Sequence, residues 1–548
     1  MRILASEDII SIALDNEEFF RLVPKVCADT KVQKDDGEKL VSFVSKDNIY
    51  TWEVTSANFL KKIYTLTVND NSAVFKTKLI GKCCIGNVRW FAESDFDTSY
   101  YYSPYIMGNG KVNSCNNMSD SDKNVNGYFI PPPLCYVFGM EGNNTLLGAG
   151  LCERAGKYNF SHFWYEFESD TMSLTTDYNG YTYIDGEYDL PDIVFFEGND
   201  RFEIYRKYSE FNFENGYTVR AEHKRAEWWK GPFFCGWGDQ WNIARDVLEE
   251  RQSGWQDIAV VENAENDGHP IFNKAIAAAT EKNYRLMLKT ADEKNIPYNT
   301  IIIDCKWNIA FGTMEADTRK WSDLRSFIDE QHAKNVKVLL WFNFWSAEGL
   351  PDDECIMVNG KPFSPDPTNE KYLKHFEEIL HKVLSSDKDC YDADGFKIDF
   401  MHVPDKENMI ISQKGIYGIE LIKKRLQHLY DTAHAIKEDV LINTQCVHPY
   451  FDECTDMMRI GDYWYGSNNA SSNLESRVGV LKAVLPDVMI DMDSAGCIRR
   501  RDALMYFRKE VQLGVPVLYG TRTYPYFDEN DWKEISELFY GYIERAYV

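Results

Sequence analysis

The sequence predicts an α/β protein with a β-rich N-terminal part: a (β/α)8 barrel preceded by an antiparallel β-sandwich. Two observations carry this. Up to about residue 222 the chain consists of β-branched and aromatic runs separated by turn clusters. From about residue 228 onward, short apolar runs alternate with amphipathic stretches of helical period. The expected division is a sandwich over 1–222 and a barrel over 223–548.

In the first part, "YTWEVTSANFL" and "KKIYTLTV" alternate as half-buried strands do, and "NDNS", "GNG" and "DYNG" supply turn residues between runs. In the second part eight runs follow in order: "PFFCGW", "NTIIIDCKW", "VKVLLWFNFW", "DGFKIDF", "VLINTQC", "MMRIGDYW", "VMIDMD" and "GVPVLYG". Between them lie helical stripes. Tyr372, Leu373, Phe376, Ile379, Leu380, Val383 and Leu384 make one, and Ile419, Ile422, Leu426, Leu429 and Ala433 another. Eight strands with mostly helical connections are the count for a closed parallel barrel. An open doubly wound sheet would offer a glycine fingerprint, and none is present.

Composition narrows the partners. Lys and Arg number 60 against 86 Asp and Glu, a net charge of −26, which disfavours nucleic acid and anionic membranes. No run of about 18 apolar residues predicts a membrane span. The N-terminal "MRILASEDIISIALDNEEFF" carries acids where a signal peptide needs an apolar core. Thirteen cysteines without CxxC pairs, in a chain too large to need staples, fit a reduced, cytoplasmic protein.

Within "DGFKIDF", Lys397 and Asp399 lie two apart and so point to one face of a strand, where a buried parallel strand should be apolar. Other polar residues also close or follow the runs: Asp239, Asp304, Asn343, Asn443, Asp462, Asp491, Asp493 and Arg522. A few would be helix caps. A convergent ring at the C-terminal ends of barrel strands reads as a site. No HExxH, GxSxG, P-loop or GxGxxG competes, and Cys446 and His448 read as a buried thiol beside a loop histidine. What remains is carboxylates, aromatics and a few cations. Two carboxylates flanking one bond are the apparatus of glycoside hydrolysis, and 14 tryptophans suit a sugar-stacking wall.

At these residues the chain resembles glycoside hydrolase family 36, the α-galactosidases and raffinose-synthase-like enzymes, with more distant similarity to family 31. "DGFKIDF" resembles the nucleophile strand "YFKLDF", and "TQCVHPYFDECTDMMRIGDYW" the cysteine-proline and "MRIGxD" acid/base segment. "CGWGDQW", "IIIDCKW", "WSDLRSFIDEQHAKNVKVLLW", "DPTNEKYLKHF" and "DMDSAG" follow the remaining barrel in order. The resemblance implies Asp399 as nucleophile and Asp462 as general acid/base, with carboxyl groups about 5–6 Å apart. It implies Lys397 and Asp304 on sugar hydroxyls and Arg459 near the reacting carbon. Trp237 and Trp341 would be apolar walls, Trp307 would shape the entrance, and Cys446 would line the pocket. The implied activity is that of a retaining α-galactosidase needing neither cofactor nor metal. Its partner is a small-molecule carbohydrate, and assembly into a homo-oligomer is open.

The chain departs from the pattern at Cys305, where the family has a second acid, and at Lys306, which replaces a glycine. Cys305 opens the glycon to sugars other than galactose, including those of family 31 enzymes. Lys306 is expected either at the surface or as a cation favouring an anionic sugar. Transfer to another sugar, and carbohydrate binding without catalysis, are the alternatives to hydrolysis.

Overall fold

The computed structural model describes residues 1–15, 17–95, 101–102, 131–140, 144–168, 171–250, 255, 258–262, 269–401, 410–461, 463–464, 470–493, 495–496 and 499–547. The N-terminal part is antiparallel throughout. A three-stranded sheet (Arg2–Ala5, Ile10–Leu14, Glu17–Leu22) accompanies an eleven-stranded one. The larger sheet is organised by the long strand Ala73–Asp95, which changes partners along its length. Residues 73–80 pair with Lys61–Val68 and 73–75 with Asp192–Gly198, whereas 85–90 pair with Val26–Thr30 and 78–95 with Thr171–Asp189. Register breaks at Met172/Leu174 and Asp177/Thr182 let its partner strand follow that bend.

The eight apolar runs become the eight strands of a parallel barrel: Phe233–Cys235, Thr300–Ile303, Lys337–Asn343, Gly395–Asp399, Leu441–Thr444, Met457–Arg459, Met489–Asp491 and Val517–Leu518. Consecutive strands are hydrogen-bonded, the eighth returns to the first, and a single bridge, Asp491 to Val515, closes the seventh on the eighth. Alternation along each strand separates two environments. Ile301, Ile303, Val338, Leu340, Phe342, Phe396, Ile398 and Ile442 pack outward among the helices. Phe233, Cys235, Ile302, Leu339, Leu441, Met457, Val515, Val517 and Tyr519 form a second cluster inside the barrel. Lys397 and Asp399 share the inward parity.

Helices follow seven of the strands, and the stripes at Tyr372–Leu384 and Ile419–Ala433 fall on Glu370–Leu384 and Gly418–Ile436. Asn369 and Asp323 cap their helices by accepting from backbone N–H groups. The fifth connection differs: only a 3-10 turn, Pro449–Cys454, fits between Thr444 and Met457. The chain arriving from the sandwich covers that place instead. Helix Arg201–Glu214 sets Tyr208 Oη 2.8 Å from His448 Nε2, and Ser209 Oγ donates to the Val484 carbonyl at 2.6 Å. Further on, Ala221 N and His223 meet Asp452 at 2.8 and 2.9 Å.

The fourth strand starts on Gly395, whose φ is +147°. A β-carbon there would lie 2.1 Å from the Leu441 carbonyl oxygen of the fifth strand, so both the dihedral and the close approach demand glycine. Gly395→Ala is expected to destabilise the protein by about 3 kcal/mol in equilibrium denaturation, from backbone strain and overpacking together. A loss below about 1 kcal/mol would show that the strand can shift without cost.

Candidate active site

The C-terminal ends of the barrel strands converge on two buried cation–carboxylate pairs. In the first, Lys397 Nζ donates to Asp304 Oδ2 at 2.7 Å, and the two residues are 3% and 2% exposed. The Cys235 thiol donates to the same oxygen at 3.1 Å. Asp304 Oδ1 accepts from Cys305 N at 2.8 Å, and Asp304 N donates to the Tyr284 hydroxyl at 2.7 Å. Burial works to discharge the Lys397 ammonium, but Asp304, Cys235 and Asp493 together more than offset it and raise the pKa. The ring of Tyr519, just past the eighth strand, lies 4.8 Å from the ammonium.

In the second pair, Arg459 grips Asp493 with two nitrogens, Nε to Oδ2 at 3.0 Å and Nη2 to Oδ1 at 3.3 Å. Asp493 also accepts from the Tyr519 hydroxyl at 2.6 Å. Burial acts to raise its pKa, but the Arg459 and Lys397 charges and this hydroxyl hold it below the usual carboxylate value. Its neighbour Asp491 shifts upward through burial and the Asp493 charge, and accepts from Asn443 Nδ2. The remaining face of Arg459 turns to the fourth strand. Nη1 donates to the Ile398 carbonyl at 3.1 Å and stands 3.6 Å from Asp399 Oδ1.

Asp399 is thus treated differently from the other carboxylates. Its side chain keeps 27% of its surface exposed. Oδ2 accepts from the Trp341 indole N–H at 3.2 Å, and Oδ1 from Phe400 N at 3.0 Å. Phe400 adopts φ +58°, unusual for a bulky residue, and so turns the chain out of the strand directly after the carboxylate. The arrangement is a solvent-reachable carboxylate with donors on both oxygens and a guanidinium beside it. Such a group is held in one orientation and remains open to a molecule entering the barrel mouth.

Aromatic rings wall the site. Trp341 stands 5.4 Å from Phe311 and 5.8 Å from Phe400 between ring centroids, and Trp237 lies 6.0 Å from Phe272. Trp237, Phe272 and Phe311 pack on Ile276, Cys305 and Trp341 as one cluster. Trp307 is fully buried and donates to the Trp341 carbonyl at 2.9 Å. It therefore braces a wall from behind and does not shape an entrance. Cys446 is also fully buried, 4.0 Å from Met401 Sδ, and is core and not pocket lining. Burial holds the nearby His448 imidazole neutral, with its pKa down to about 3.

Lys306 is neither a surface residue nor an unpaired cation. It is 5% exposed, pairs with Glu348 at 2.6 Å, and sits 3.8 Å from the Phe311 ring centroid. Asp239 accepts from Thr521 N at 2.9 Å and Arg522 N at 2.6 Å, tying the loop after the eighth strand to the first helix. Asp462 lies outside the described residues. The sequence reading missed Glu348, Phe311, Phe400 and Tyr519. Tyr519 alone carried a signal, since it shares the inward parity of Val515 and Val517.

Comparison with known proteins bears on the barrel that carries these residues. The model of the glycosyl hydrolases family 31 TIM-barrel domain matches residues 272–435, which include Asp304, Trp341, Lys397 and Asp399. No curated protein matches the sequence. A GH31 family sulfoquinovosidase from E. rectale, solved with an aza-sugar inhibitor, aligns over 100% of this chain and 85% of its own, at TM-score 0.58 and 11% identity. The cycloalternan-forming enzyme from Listeria monocytogenes, solved with a pentasaccharide substrate, aligns over 92% of this chain at TM-score 0.54 and 12% identity. This chain spans only 54% of that enzyme. A GH36 α-galactosidase from Geobacillus stearothermophilus aligns over 95% of this chain and 75% of its own, at TM-score 0.49 and 11% identity. At such identities the likeness is one of fold. Family 31 is the stronger match, and the resemblance to family 36 becomes secondary.

Asp304→Ala leaves Lys397 buried without its carboxylate and is expected to cost about 3–5 kcal/mol in stability. Replacing both, as Asp304→Leu with Lys397→Met, should recover most of that loss. Equal losses for single and double variants in urea denaturation would contradict the pairing.

Proposed function

We propose that this protein is a retaining α-glycosidase in which Asp399 is the nucleophile. The observation that carries the reading is the partly exposed Asp399 carboxylate, flanked by the Trp341 indole and the Arg459 guanidinium at a barrel mouth where Asp304, Asp491 and Asp493 are buried. In the first step an Asp399 oxygen bonds to the anomeric carbon as the glycosidic C–O bond breaks. The leaving oxygen takes a proton from Asp462, three residues beyond Arg459. In the second step Asp462 takes a proton from water, the water oxygen bonds to the same carbon, and the bond to Asp399 breaks. Two displacements return the starting anomeric configuration.

Asp304 and Lys397 form the floor of the sugar site on this reading, and Lys397 serves by holding Asp304 in place at 2.7 Å. Trp237 and Trp341 supply apolar walls for the faces of the ring. The Lys306–Glu348 pair leaves that wall without a net positive charge, which supports a neutral glycon. Galactose is the glycon that the family 36 resemblance implies. A glucose-type glycon is the second reading. It is favoured by the family 31 match, and the solved neighbours of higher TM-score include one with α-D-glucose.

A panel of aryl α-galactoside, α-N-acetylgalactosaminide, α-glucoside, α-xyloside and an anionic glycoside tests both, with proton NMR following the anomer released. Cleavage of a neutral member with the α-anomer appearing first is expected, and Asp399→Asn should lower kcat by about 10⁴-fold without unfolding the protein. Full activity in that variant would refute the nucleophile. Binding of sugars with no cleavage by the wild type would make the protein a carbohydrate-binding module on a barrel scaffold.

A further inference from the structure

We propose that Tyr519 is a positioning residue for Asp399, acting through Asp493 and Arg459. This inference rests on the reading of Asp399 as nucleophile. Tyr519 touches both buried pairs. Its hydroxyl donates to Asp493 Oδ1 at 2.6 Å, and its ring faces the Lys397 ammonium at 4.8 Å. It is 3% exposed and belongs to the apolar cluster inside the barrel, so the ring has little freedom to move. The hydroxyl leaves Oδ1 only a lateral place for Arg459 Nη2, and Nε must take Oδ2. With two nitrogens engaged in that fork, the third, Nη1, is directed at the Ile398 carbonyl and Asp399 Oδ1.

Among the described residues Asp493 faces Arg459, Lys397, Asp491 and Tyr519. Asp399 meets Arg459 from the sixth strand, the neutral Trp341 indole from the third and the buried Cys305 thiol just past the second. Without the hydroxyl, Asp493 loses a donor that fixes its rotamer, and the fork can rotate about the remaining contacts. Arg459 then drifts from Asp399, which loses the guanidinium now 3.6 Å from its Oδ1. A group acting only in packing would change stability and leave the ionisation of Asp399 untouched.

The test is Tyr519→Phe, which removes the hydroxyl and keeps the ring. Expected are a roughly tenfold fall in kcat, little change in KM, and an acid limb of kcat/KM moved to higher pH. The limb reports the free enzyme's essential carboxylate, so a rise means that Asp399 is easier to protonate. An unchanged limb with lowered melting temperature would overturn the inference. Crystal structures of both forms supply a readout independent of turnover. Arg459 Nη1 displaced from Asp399 in the variant supports the proposal, and an unmoved guanidinium overturns it. Inactive wild-type protein on every glycoside would refute the glycosidase reading and leave this structural comparison decisive for Tyr519. Should Tyr519→Phe fail to fold, Asp493→Asn keeps the shape of the contact but weakens the fork, and its crystal structure must show Arg459 Nη1 displaced from Asp399. An unmoved guanidinium there would overturn the chain of positioning.

Discussion

An uncompensated charge inside a barrel costs several kcal/mol, so a buried cation needs acceptors close by, and a carboxylate serves best. The interior of this barrel holds two cations, Lys397 and Arg459, 3% and 1% exposed. Each is met by a buried acid, Asp304 in one case and Asp493 in the other. Both acids are thereby committed, with their oxygens filled by internal donors. Asp399 stands apart: beside Arg459 at 3.6 Å, yet still open to what enters the mouth. The difference between the sealed carboxylates and the open one follows from which of them the buried cations must neutralise.

That charge lattice sits on an apolar floor and explains where it can sit. Ile302, Leu339, Leu441 and Met457 fill the lower barrel, so polar inward positions are confined to the strand ends. Closure depends on few bonds, with one bridge at Asp491–Val515 joining the last two strands. Asp491 therefore serves two ends, the seam through its backbone and the polar layer through its carboxyl. The missing fifth helix has a parallel consequence. Tyr208 and the 218–223 segment occupy its place through His448 and Asp452, which couples the sandwich to the strands that carry Arg459.

Much of this was legible in the sequence because period is a strong signal. The eight apolar runs, the two helical stripes and the shared parity of Lys397 and Asp399 all follow from spacings of two and of three to four residues. Burial of particular side chains is a weaker signal. Trp307 and Cys446 were expected at the pocket, yet the fold turns both into the core, where the Trp307 indole finds a backbone carbonyl. Lys306 could not be placed from its own neighbours, because its partner Glu348 lies on the next strand's loop, 42 residues away. Tyr519 was hidden for a similar reason, since its hydroxyl reaches Asp493, 26 residues before it. Pairings set by tertiary approach leave no local period.

The central claim is that Asp399 forms the covalent bond to the sugar. A fluorinated α-glycosyl fluoride, chosen to match the preferred glycon, reacts quickly with a retaining nucleophile and leaves it slowly. Peptide mass spectrometry after such treatment locates the bond directly. The structure predicts a single glycosyl adduct on Asp399 with simultaneous loss of activity. An adduct on any other carboxylate, or inactivation that leaves Asp399 unmodified, would contradict it.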